Sequence, residues 1–288
     1  MNASAEEDAI PGSADLTAVE IAEEAEEAEE RAPPTGRIVY KTVLSEGEHE
    51  LERTSPALFW SGLAAGLSMG FSLIGEALLM AHLPDAPWRP LVAKFGYCFG
   101  FLIVILGRQQ LFTENTLTPI LPLLVHRNLK TLGNVARLWI VVLTANLIGA
   151  VLFAAITTKA PLFDSALQEI FVEIGRADLE HSFLTTMLRG VFAGWLLALL
   201  VWVMPAAESS RIWVIIIITY LVGIAELSHV VAGSIAAFAW AMSDSGSWST
   251  AFGGFVIPSL LGNIFGGVLL VAGLSHAQVV AGQPPGKV

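Results

Sequence analysis

The chain has 288 residues, 54% of them hydrophobic and only 14% charged, with a mean hydropathy of +0.66. That composition excludes an ordinary soluble domain and points to several membrane helices. The net charge of −11 sits entirely in residues 1–50, which hold 14 acidic and 3 basic side chains, while residues 51–288 hold 12 of each.

Residues 1–44 read as an acidic, disordered tail. They lack the basic-then-apolar pattern of a secretory leader. SEGEHELERTSP (45–56) reads as an amphipathic lead-in on the membrane surface. A membrane helix needs roughly 20 apolar residues. Four stretches meet this simply: 57–83, 134–158, 183–206 and 253–275. Two others, 91–126 and 211–243, are too long for one clean span and carry polar interruptions, GRQQLFTENTLTP (107–119) and AELSHVVAGS (225–234). The pieces 95–107 and 116–126 each fall below the roughly 17-residue minimum for a span of their own. They therefore read as one discontinuous helix. Irregular backbone at that depth survives only where protein or a watery cavity satisfies it. The expected fold is an all-α integral membrane protein with six transmembrane helices, the second and fifth broken. It occupies 57–276 and is followed by a tail at 277–288. An even number of spans puts both termini on one side. Nine basic residues against four favour a cytoplasmic location for both.

The two halves look alike. Gly66 and Gly70 pair with Gly190 and Gly194 at an offset of 124, and Asn146 and Gly149 pair with Asn263 and Gly266 at 117. Setting Thr113 against His229 gives 116. Three spans per copy make the second copy inverted, so 57–158 and 183–276 form an inverted 3+3 repeat. Such repeats suggest a transport site near the midplane, where broken helices meet. GLSMG (66–70) matches a serine-nucleophile pattern that requires a strand–turn–helix elbow. It lies inside an apolar span, so no enzyme is expected. Cys98 is the only cysteine and reads as a buried packing residue. Glu226 and His229 alone make a poor metal site, and no cofactor, metal or nucleic acid is expected.

QLFTEN (110–115), HSFLTTMLRGVFAGWLLALLVW (181–202), LSHVVAGS (227–234) and IPSLLGNIFGGVLLV (257–271) resemble the formate/nitrite transporter family over about 55–276. The acidic tail and GRQQ suggest a divergent branch. The resemblance implies an aquaporin-like protomer with its own pore, a homopentamer in the inner membrane, and small monovalent anions or their weak acids as solutes. It also implies roles. Leu111 and Phe112 with Phe101 would form the cytoplasmic constriction. Thr113 would face a central His229, and Tyr97 and Val222 would take the outer constriction. A histidine suits proton-linked passage because its ordinary pKa lies near 6.5. Departures from the family pattern fall at Gly194 and Gly233 (asparagines in the family), Ser228 (an acid) and Asp178 (a lysine). Arg108, Glu114, Arg189, Glu226 and Glu76 add charge near the spans, where ionisable side chains face the protein interior or a pathway. Arg108 with Glu114 or Glu226 is expected as a pair holding the break. Loss of the two asparagines is expected to widen the site or lower its anion selectivity. A channel for neutral solutes on the same fold, and a scaffold with an occluded pore, are the other readings.

Overall fold

Pro56 and Pro90 each sit in the first turn of a helix, where a missing N–H leaves no intrahelical bond unmade. The computed structural model describes residues 34–281; the remainder of the acidic tail (1–33) and residues 282–288 lie outside the described residues. The chain divides into Met1–Thr35 and Gly36–Val288, and every element below belongs to the second unit. In chain order these are α1 (Gly36–Glu52), α2 (Ser55–His82), α3 (Arg89–Leu106), α4 (Ile120–His126), α5 (Leu129–Lys159), α6 (Ser165–Leu179), α7 (Phe183–Ala206), α8 (Arg211–Ile224), α9 (Ala232–Ala241) and α10 (Trp248–Val279). Among the described residues, α2, α3, α5, α7 and α10 are long and apolar enough to cross a membrane, and α9 is a shorter apolar helix.

Side-chain caps begin four of these helices, Ser247 accepting the N–H of Thr250 at 3.4 Å ahead of α10. Asn128 accepts the N–H of Thr131 at 2.8 Å, Asp164 that of Leu167 at 2.8 Å, and Ser182 that of Thr185 at 3.2 Å. Each cap satisfies a helix-end donor and contributes about 1 kcal/mol. α3 corrects the expectation that residues 95–107 are too short to span. The apolar stretch starts at Arg89 and runs as a short helix to Ala93, a turn over 94–97 and a second helix from Cys98 to Leu106; within the turn, Lys94 Nζ lies 2.5 Å from the buried carboxylate of Glu76 on α2. The pair neutralises a charge inside this apolar stretch. Two further boundaries differ from the sequence reading. α1 already begins at Gly36, ahead of residue 45, and the helix ending the chain's described part runs to Ala281, past 276.

α2 packs on α5 and α7 on α10, while α9 packs on α5 and α6 and α3 on α8. Small residues permit the two closest crossings. A Cβ on Gly66 would lie 2.3 Å from the backbone oxygen of Asn146, and one on Gly194 would lie 2.3 Å from that of Asn263. Within α10, π-helical turns at Ala251–Val256 and Gly266–Gly273 flank Ile257–Phe265. Pro258 lacks an N–H and its ring crowds the preceding turn. The wider π turn before it absorbs that misfit. α1 buries Val39, Tyr40 and Val43 against α4 and α7, and the Tyr40 hydroxyl meets His276 Nδ1 at 2.7 Å.

Candidate functional site

Helical structure stops at Leu106 and resumes at Ile120 apart from a 3-10 turn at Glu114–Thr116; it stops again at Ile224 and resumes at Ala232. Both stops use the same backbone device. Arg108 and Glu226 take positive φ values of 49° and 50°. Beside them, Gln109 N–H bonds Val104 O at 3.0 Å and Leu227 N–H bonds Val222 O at 2.9 Å. This is the left-handed helix stop usually filled by glycine.

The unpaired backbone that follows is clamped twice in one pattern. Asn146 Nδ2 donates to Gly62 O (2.7 Å) and Gln110 O (2.9 Å), and its Oδ1 accepts from Phe112 N–H (2.9 Å). Asn263 Nδ2 donates to Gly190 O and Ser228 O (2.8 Å each), and its Oδ1 accepts from Val230 N–H (2.9 Å). Both amides are fully buried, and each uses both donors and its acceptor. These bonds pair Gly62 with Gly190 and Gly66 with Gly194, one helical turn from the sequence pairing. They also set Phe112 against Val230, so Thr113 corresponds to Val231 rather than to His229. The reason is that the shared asparagine, not the helix-packing glycines, fixes the register. Asn146 and Asn263 were recognisable in TANLIGAV and LGNIFGGV, but only as marks of similarity, since sequence does not tell what an amide bonds.

Between the interruptions, His229 and Thr113 are buried and bonded, Nε2 to Oγ1, at 2.7 Å. Ala232 N–H donates to Nδ1 at 3.0 Å. A backbone amide only donates, so Nδ1 accepts and the ring proton sits on Nε2, directed at Thr113. The Thr113 hydroxyl then keeps its own proton for another acceptor. Phe101 stands edge-on to the imidazole with ring centroids 5.0 Å apart and contacts Tyr97 at 5.3 Å. Leu111 and Phe112, which precede Thr113 in the chain, are buried, and the Phe112 ring packs on Trp139 at 5.7 Å. The ring contacts thus join Phe101 to Tyr97 and His229, and Phe112 to α5.

Space opens beside His229. A cavity of about 50 Å³ reaches His229 and is lined by Tyr97, Val222, Gly233 and Phe255; it shares Glu76, Lys94, Asp178 and Glu226 with a chamber of about 330 Å³. Three expectations change here. Arg108 is exposed, and among the described residues no ion pair joins it to Glu114 or Glu226; Glu226 pairs instead with Arg189 at 3.4 Å. Gly194 does not widen the site, because its missing side chain is replaced by the backbone of α10. At Gly233 a Cβ would lie 2.1 Å from the Phe255 ring, which fills the space instead. The half-buried Glu114 has no ion pair among the described residues, and Ser228 is buried with its carbonyl on Asn263. Among the described residues there is no cluster fit for a metal.

A family model described as formate/nitrite transporter matches residues 37–277. The inner membrane protein YfdC of Escherichia coli (strain K12) is 38% identical over 251 residues, 87% of this chain and 81% of that protein. Two solved structures share the fold. A pentameric formate channel with formate bound has a TM-score of 0.64 at 21% identity, covering 79% of this chain and 98% of its own. An FNT family ion channel has a TM-score of 0.69 at 17% identity, covering 85% and 99%.

Proposed function

The chain belongs to the formate/nitrite transporter family, and from that premise we propose that it carries small monovalent anions or their undissociated acids across the inner membrane. In this reading α2, α3 with α4, α5, α7, α8 with α9, and α10 make six crossings, the second and fifth interrupted. They form an inverted pair of three, with both termini cytoplasmic. The solved pentameric channel supports a homopentamer with one pore per protomer. The relative named an inner membrane protein supports the location.

The single observation that carries the function is the buried His229–Thr113 bond, set between two clamped interruptions at the end of a cavity. A bare anion entering an apolar constriction loses its hydration at a large cost. Thr113 offers a hydroxyl proton to an oxygen of the solute, and Nε2–H of His229 stands behind that hydroxyl. Both protons stay on the protein: the hydroxyl donates a hydrogen bond to the solute with Nε2–H supporting it, and the proton that neutralises the solute is drawn ultimately from the solution, so the solute passes as the neutral acid. In this reading Tyr97 and Val222 line the approach, and Leu111 and Phe112 with Phe101 close the cytoplasmic side.

The test is uptake of a panel of small anions and weak acids by reconstituted vesicles at several pH values. His229→Ala is expected to abolish proton-linked uptake while the oligomer stays intact by size-exclusion chromatography; wild-type uptake by the variant at every pH refutes the central role. Phe112→Ala is expected to raise the leak. A channel for neutral solutes is the second reading, favoured by the carboxylates of the chamber. Vesicle swelling without acid or anion uptake would select it.

A further inference from the structure

The chamber in front of His229 holds many charges, and nearly all are matched. Glu76 of α2 is paired with Lys94 of α3 at 2.5 Å. Glu226, in the interruption after α8, is paired with Arg189 of α7 at 3.4 Å, and the same guanidinium reaches His181 Nε2 at 2.5 Å. Arg89 of α3 pairs with Asp85 at 3.6 Å. Glu173 of α6 stands exposed at the rim. Asp178, near the end of α6, is different. It lines both the chamber and the narrower cavity reaching His229, it is half-buried, and among the described residues it has no hydrogen bond or ion pair.

An unpaired carboxyl at the neck of a pathway acts on any anion passing it. Ionised, it repels the anion; protonated, it is a donor within a confined, weakly solvated space. We propose that Asp178 is the specificity-determining group of this chamber: it exchanges a proton with the arriving anion, so that the undissociated acid moves on to His229. The step balances: the carboxylic acid of Asp178 gives its proton to the anion's oxygen, leaving a carboxylate and a neutral acid. A proton from the solution outside the chamber restores Asp178. Burial pushes this carboxyl up to about 7, with the Glu76 and Glu226 charges adding to the rise and the Lys94 and Arg189 charges opposing it. The exchange is therefore available near neutrality. Proton exchange at Asp178 rests on the channel reading and names the species that channel takes.

The experiment uses the full-length protein in vesicles with formate as the probe. Acid uptake and anion current are both recorded, at about pH 6 and about pH 8, one unit either side of the midpoint. Asp178→Asn keeps the shape and removes both charge and exchange. It is expected to lower acid uptake by about a hundredfold at the lower pH, at the small end of general-acid effects. At the higher pH it is expected to raise anion current, because the repelling carboxylate is gone. Asp178→Glu is expected to restore the wild-type pattern. This opposite sign at the two pH values is a signature that a merely structural role does not produce. If the wild type moves formate and Asp178→Asn has a superimposable pH profile, the inference is overturned while the channel reading stands. If the wild type moves neither formate nor any other acid of the panel, both are overturned.

Discussion

The two interruptions share a frame and differ in content. The first, residues 107–119, is long and polar, with a 3-10 turn at Glu114–Thr116. It is held from three helices. Gln110 Nε2 donates to Glu50 of α1 at 2.9 Å, Gln110 N–H donates to Ser61 of α2 at 3.1 Å, and Trp139 of α5 donates to Asn115 O at 2.8 Å. The second, residues 225–231, is short. It relies on Asn263, and its imidazole bonds the backbone just ahead at Ala232. Every residue taken out of a helix leaves a donor and an acceptor to satisfy. The longer break therefore needs side-chain amides and hydroxyls of its own. The shorter break needs few, which leaves His229 free to face Thr113.

The largest effects should fall on the shared frame. Asn263→Ala leaves the Ser228 carbonyl and the Val230 N–H unpaired, each costing about 1–3 kcal/mol, and removes a second bond from the helical Gly190 carbonyl. Loss of the folded oligomer in detergent is expected, measured by thermal unfolding. Asn146→Ala removes the equivalent bonds, but the first break keeps Gln110 and Trp139, so its melting temperature should fall less. Equal loss in both would mean that the extra contacts add nothing. Gly194→Val should follow, at about 1–3 kcal/mol for an overpacked crossing. Wild-type stability of this variant would show that α7 and α10 shift apart freely.

Smaller effects sharpen the contrast in chemistry. Thr113→Val leaves Nε2–H of His229 without its acceptor and should destabilise by about 1–3 kcal/mol. Vesicle flux should fall, and unchanged flux would remove the hydroxyl from the path. The smallest effects concern the two helix stops. A non-glycine residue in the left-handed conformation costs about 1–2 kcal/mol. Arg108→Gly should stabilise by up to about that amount, because among the described residues Arg108 has no ion pair to lose. Glu226→Gly should gain less, since it gives up Arg189. Chemical denaturation of both variants separates the two cases.

Much of the fold was legible because apolar length and polar interruption are local properties. GRQQLFTENTLTP and AELSHVVAGS stand out against apolar flanks, and both coincide with the places where helical structure stops. The pairing of Thr113 with His229 was legible only through resemblance, and the two residues are in fact bonded. The partners of charged side chains were not legible. Arg108 was expected to pair with Glu114 or Glu226 and is exposed, while Lys94 is matched by a carboxylate 18 positions earlier in the chain. Gly194 and Gly233 resembled empty positions in a site, yet Asn263 backbone and the Phe255 ring stand where their side chains would be.

By itself the amino-acid order determined the class of the molecule, its apolar segments, where they are interrupted and the likeness of its halves, because helix length and hydrophobic runs follow from neighbours along the chain. Only the tertiary structure decided the register of that likeness, which amides clamp the open backbone, which nitrogen of His229 bears the proton, and which carboxyl is left unpaired. Those are facts about distance between segments far apart in sequence, and a hydrogen bond or an ion pair depends on approach to within a few ångströms.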